Sequence, residues 1–206
     1  MEYFGIDLAV LIKTVGLIGL FVIVFAETGL FLGFFFPGDS LLFVAGLLAA
    51  QGFFSPEALI VTIAVAAITG NMAGYWFGAR VGPKLFDRED SLFFKKQYVH
   101  RAQAFYDEHG AKTIALARFV PIVRTFAPIV AGIARMRYRA FLLYNIIGGF
   151  VWTVLLVLIG YLFGNLISDV DRYILPVILA IVILSFLPAV LHILKERKRL
   201  GQQESR

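Results

Sequence analysis

Residues 111–133, AKTIALARFVPIVRTFAPIVAGI, form an apolar stretch interrupted by two arginines and two prolines. By length it could cross a bilayer, since about 20 apolar residues span the hydrocarbon core. A straight helix would then bury Arg118 and Arg124 near its centre and lose backbone hydrogen bonds at Pro121 and Pro128. Irregular backbone survives at membrane depth only where protein or a water-filled cavity covers it. The expected form is therefore a re-entrant helical hairpin, 111–133, turning near Pro121. The turn has a chemical consequence. On one continuous helix the two arginines would stand roughly 120° apart about the axis, whereas a break between them lets both guanidiniums aim at one point. That point would be an anion site.

The surrounding chain sets the class. Of 206 residues, 60% are hydrophobic and only 16% charged, which leaves little mass for a soluble domain, and one membrane domain over 1–206 is expected. The apolar runs are continuous rather than alternating in ten-residue segments, so an all-α polytopic membrane protein is expected and an outer-membrane barrel is not. Glu2 and Asp7 stand where a signal peptide would carry basic residues, so no cleavable leader is expected. Without cysteine there is no disulfide or thiol chemistry.

The net charge of +5 comes from two clusters of Lys and Arg. One lies between 80 and 139, outside the hairpin; the other is Lys195, Arg197, Lys198 and Arg199. The linkers 51–57 and 165–171 contain no Lys or Arg, and the positive-inside rule puts them outside and the clusters inside. The expected orientation is multi-pass with both termini cytoplasmic. Membrane orientation accounts for the basic clusters without a nucleic-acid partner.

Taken in order, residues 14–50 are too long for one span and too short for two, and resolve as a span near 14–33 followed by a hairpin, 34–50, broken at Pro37-Gly38. A clean span follows at 57–79, opened by Ser55-Pro56-Glu57, with Gly70, Gly74 and Gly78 as close-packing positions. Residues 82–110 read as an amphipathic cytoplasmic segment in which His100 and His109 are solvated. Spans at 140–164 and 173–194 and a basic cytoplasmic tail, 195–206, complete about four full spans. A shift of 86 residues superposes Val44-Ala45-Gly46 on Val130-Ala131-Gly132 and Gly74-Tyr75-Trp76-Phe77-Gly78 on Gly160-Tyr161-Leu162-Phe163-Gly164. Two repeats are expected, 14–80 and 111–165, each a hairpin plus a span and opposed in topology as in secondary transporters.

Four ionisable residues then lie within apolar segments: Glu27, Asp39, Arg118 and Arg124. An unpaired charge costs roughly 3 kcal/mol there on insertion scales, so such residues are kept either as ion pairs or for function. The functional reading gives Arg118 and Arg124 a phosphate, because guanidinium forks bind phosphate bidentately and stay charged. Glu27 and Asp39 would compete for the arginines when ionised and release them when protonated, linking proton and phosphate binding. Pro37, Gly38, Pro121 and Gly132 would form or support the hairpin breaks. Asn71, Asn145 and Trp152 are expected to serve helix packing or hairpin support.

Glu27, Pro37-Gly38-Asp39-Ser40, Arg118-Phe119-Val120-Pro121-Ile122-Val123-Arg124 and Ala131-Gly132 together resemble the signature of the DedA membrane protein family and its VTT domain. The resemblance runs over roughly 14–165; at position 71 this chain has Asn where many members carry an acid. It implies a lipid transporter of the bacterial inner membrane, linked to the proton motive force, that returns undecaprenyl phosphate from the outer to the inner leaflet for envelope recycling. The alternatives are a phosphatidylethanolamine or other phospholipid flippase or scramblase, or a proton-coupled antiporter of another substrate. It also makes the two acids and two arginines the functional positions. Membrane lipids and protons are the implied partners, a homo-oligomer is compatible, and no cofactor or metal is implied. An enzyme is not expected: no histidine falls in the hairpins and no metal-binding or Ser/His/Asp grouping accompanies the arginines.

Overall fold

The computed structural model describes residues 8–29, 38–86 and 96–166. Every element among them is a helix: α1 Leu8–Gly29, α2 Gly38–Ala50, α3 Pro56–Phe86, α4 Lys96–His109, α5 Lys112–Ala117, α6 Pro121–Ile133 and α7 Tyr138–Leu166. Three are long and apolar enough to cross a membrane, over Ile12–Gly29, Pro56–Gly82 and Tyr138–Leu166. The expected last span 173–194, the tail 195–206 and Pro37 lie outside the described residues.

Local chemistry sets the boundaries. Ser55 starts α3 by accepting the Ala58 N–H (3.2 Å), with Pro56 in the first helical position where its missing donor is harmless. The helix then runs to Phe86 instead of ending near 79, so the amphipathic surface segment is shorter than 82–110, and α4 is its described helix. Packing carries α3 onward, since Gly82 sits against Ile133 of α6. The break at the second hairpin is present. Arg118 caps α5, Val120 is extended (φ −118, ψ 106), and Pro121 is the first residue of α6 rather than the apex of the turn. At the far end of α6 a Schellman loop closes the helix, with Arg135 N–H bonded to Gly132 O and Met136 N–H to Ala131 O, both 3.0 Å.

The two halves interlock. The first half of α3 is covered by α1, where Thr28 and Gly29 meet Gly70; its second half is covered by α6, where Ile129 and Ile133 meet Gly78 and Gly82. In α7 the order is the same: α5 lies on Gly148 and Gly149, and α2 lies on Gly160 and Gly164. Gly46 and Gly132 permit close backbone approaches. A Cβ on Gly46 would stand 3.0 Å from the Tyr161 nitrogen, and one on Gly132 would strike the Tyr75 carbonyl and stand 2.8 Å from the Ala79 nitrogen.

One contact bears on topology. Lys13 lies 4.1 Å from the centre of the Phe53 ring, so the start of α1 shares one end of the bundle with the α2–α3 connection. Near Gly29, the last described residue before 38, α1 meets the middle of α3 at Gly70. A cytoplasmic N-terminus and an outside 51–57 linker need a membrane thickness between them; the N-terminus itself lies outside the described residues, and the start of the described α1 packs beside that linker. The reason is tertiary: α1 pairs lengthwise with the first half of α3.

Candidate functional site

The crossing of the halves brings together four charges that are far apart in the chain. Glu27 lies in the last turn of α1, Asp39 in the first turn of α2, Arg118 at the end of α5 and Arg124 in the first turn of α6. Arg124 is held from two sides. Its Nη2 donates to Glu27 Oε1 (2.7 Å) and its Nη1 donates to Asp39 Oδ1. The Glu27 side chain is 1% exposed and that of Asp39 18%, so Asp39 is the carboxylate nearer to solvent or lipid.

Helix ends explain part of this. The Glu27 carboxylate rests against Gly38, the first residue of α2, where any Cβ would collide with it. The positive end of the helix dipole favours a carboxylate there, and Glu27 Oε2 itself has no hydrogen-bond partner among the described residues. Arg124 is in the opposite situation, a cation in the first turn of α6, and the two carboxylates offset that unfavourable placement.

Arg118 has neutral partners. Its Nη2 donates to the Ala67 carbonyl (3.1 Å) and to Asn145 Oδ1 (2.7 Å), an oxygen that also accepts from Asn71 Nδ2 (3.0 Å). Asn145 Nδ2 donates in turn to the Ile68 carbonyl (3.0 Å), which fixes the amide. The Arg118 Nε is buried with no partner among the described residues. Both guanidiniums stand over one indole. Their central carbons lie 5.8 Å (Arg118) and 5.1 Å (Arg124) from the centre of the Trp152 ring, within cation–π range. The Trp152 Nε1 donates to Asp39 Oδ1 (3.1 Å).

The broken helix thus converges Arg118 and Arg124 as expected, and Asp39 and Glu27 join them. Both acids, however, engage Arg124, and no described carboxylate engages Arg118. Gly38 is a contact of the site itself, Pro121 begins the arm that carries Arg124, and Gly132 lies at the far end of that arm against α3. Asn71 and Asn145 support Arg118. Trp152 was legible only as a packing residue, although its position in mid-span, away from the interfacial belts that tryptophan favours, was the available signal. Outside the spanning segments, Tyr106 of α4 donates to the Ala127 carbonyl of α6 (3.1 Å). Burial pushes its phenol up to about 12, so it remains a donor at physiological pH.

Residues 36–162 match the family model described as the VTT domain, a segment that contains Asp39, both arginines and Trp152. This chain belongs to the VTT-domain, or DedA, family. It is 45% identical over 181 residues to Protein DedA of Escherichia coli (strain K12), covering 87% of this chain and 82% of that one. It is 41% identical over 186 residues to an uncharacterized membrane protein of Mycobacterium leprae (strain TN), covering 89% and 83%. To the inner membrane protein YqjA of Escherichia coli (strain K12) it is 33% identical over 146 residues, covering 71% and 66%. No solved structure matches the chain. The chain is a membrane protein of the DedA family, and its buried charges lie within the part that family shares, apart from Glu27 just before it.

Proposed function

We propose that this DedA-family protein is a proton-motive-force-linked flippase that moves undecaprenyl phosphate from the outer to the inner leaflet of a bacterial inner membrane. The observation that carries the reading is the unequal pairing of two buried arginines, Arg124 neutralised by Glu27 and Asp39 and Arg118 bound, among the described residues, to neutral groups. A phosphate entering the site meets Arg118 as its first cation. Protonation of Asp39 and Glu27 frees Arg124 to bind the same phosphate, and loss of those protons returns Arg124 to its carboxylates and expels the lipid. No covalent step is required.

Two broken helical arms that cross between halves support an inverted repeat in this reading, α1–α2–α3 matched by α5–α6–α7. The pairing of Gly46 with Tyr161 recurs 86 residues apart as Gly132 with Tyr75. Following the positive-inside rule, the face near Arg135, Arg137 and Arg139 is cytoplasmic. The start of α1 then lies on the outer face with the α2–α3 connection.

The test is leaflet translocation in proteoliposomes with labelled undecaprenyl phosphate and labelled phosphatidylethanolamine, with and without a proton gradient. Gradient-dependent movement of the polyprenyl lipid that is lost in Arg124→Ala is the expected result. Movement of phosphatidylethanolamine alone would make the protein a phospholipid flippase, and movement of neither would end the lipid reading.

A further inference from the structure

We propose that Trp152 is the positioning residue that couples the protonation of Asp39 to the availability of Arg118, a proposal that rests on the transport reading above. The indole occupies the one place that touches both halves of the charge cluster. Its N–H is bonded to Asp39 Oδ1, the same oxygen that Arg124 uses, and its face carries both guanidiniums. Trp152 is itself 3% exposed, so its N–H has no water to fall back on and its orientation depends on that carboxylate.

Among the described residues, the groups facing Asp39 include Arg124 of α6, Glu27 of α1 beyond it, and Trp152 of α7; Arg118 of α5 lies across the ring, and α3 contributes the neutral Asn71 through Asn145. Two cations over one ring repel each other, and the carboxylates on Arg124 hold that arrangement together. When Asp39 is protonated, the indole N–H loses an anionic acceptor and Arg124 loses one of its two anchors. The ring is then free to turn on α7, and the contact that supports Arg118 changes with it. Arg118, bound by neutral partners and with its Nε unpaired, is the group most easily drawn to an incoming phosphate at that moment. A ring that only filled space would not need its N–H on Asp39, and phenylalanine would replace it.

The chain has two tryptophans, so Trp76→Phe leaves Trp152 as the single indole reporter. Trp76 is 53% exposed, away from the cluster, and its replacement leaves transport intact. With full-length Trp76→Phe protein in phosphatidylglycerol-containing vesicles, indole emission is followed across pH. The expected result is a sigmoidal change that disappears when Asp39→Asn is added. In a separate assay, Trp152→Phe lowers translocation of undecaprenyl phosphate by about tenfold and moves the midpoint of its pH profile, because a donor to the carboxylate has been lost. Emission that does not titrate, or a titration that survives Asp39→Asn, overturns the coupling. So does a Trp152→Phe profile that is scaled in rate with its midpoint unmoved. The emission arm requires neither a Trp152 variant nor any lipid movement, so failure of the transport reading leaves the coupling separately tested.

Discussion

Arg124 and Arg118 stand on the two arms of one broken helix pair and over the same indole ring, yet their surroundings are opposite. Arg124 is sandwiched by two carboxylates that arrive from α1 and α2, elements of the other half of the chain. Arg118 is met by a backbone carbonyl and a side-chain amide from α3 and α7. A paired buried charge is a structural commitment, because removing one partner strands the others. A buried cation with neutral partners is kept at a cost, and under the proposed function that cost holds Arg118 ready for a ligand.

Replacing each arginine in turn is the strongest test of that contrast. Arg124→Ala leaves two buried carboxylates without a cation and is expected to cost about 3–5 kcal/mol of stability. Arg118→Ala leaves acceptors that have other donors and is expected to change stability by less than about 1 kcal/mol while still abolishing lipid translocation. Unfolding of the detergent-solubilised proteins, read beside proteoliposome transport, checks both; equal stability losses would erase the distinction.

The carboxylates sharpen it next. Glu27→Gln, at the fully buried side of Arg124, is expected to destabilise by about 3 kcal/mol, and Asp39→Asn, more exposed and still within reach of the indole N–H, by about half as much. Under the proton-coupling reading both variants also flatten the pH dependence of transport. A profile unchanged in both would remove the carboxylates from coupling and leave them as counter-ions.

Smaller effects probe the Arg118 side alone. Asn145→Ala takes away the side-chain acceptor of Arg118 and the partner of Asn71, at about 2 kcal/mol, with transport impaired through weaker lipid binding rather than a slower maximal rate. Gly149→Ala sets a methyl 3.2 Å from the Arg118 Nη2 and 2.9 Å from the Ile68 Cγ1, displacing that guanidinium at a cost of about 1 kcal/mol and leaving the Arg124 pairs intact. Saturation kinetics of translocation separate these two from the Arg124 variants.

Much of the site could be read before folding because charges in apolar runs have few innocent explanations. Glu27, Asp39, Arg118 and Arg124 were identifiable on that ground, and so was a helix break where Pro121 interrupts an otherwise spanning stretch. Trp152 was not, since an aromatic in an apolar helix looks the same whether it faces lipid, core or a carboxylate. The end of α3 differs from the expected 79 for a related reason: the helix continues through Gly82, which packs against Ile133 of α6, a contact no local pattern announces.

The amino-acid sequence by itself determined the membrane class, the helical elements, the broken segment and the identities of the four buried charges, because these depend on hydrophobicity and on backbone chemistry within a few residues. The tertiary structure alone decided that α1 packs along the first half of α3 with Lys13 beside Phe53 of the α2–α3 connection, that both acids engage Arg124, and that one indole links Asp39 to both arginines. Those facts arise from contacts between residues up to 113 positions apart, and no local preference encodes which partner a buried charge will meet.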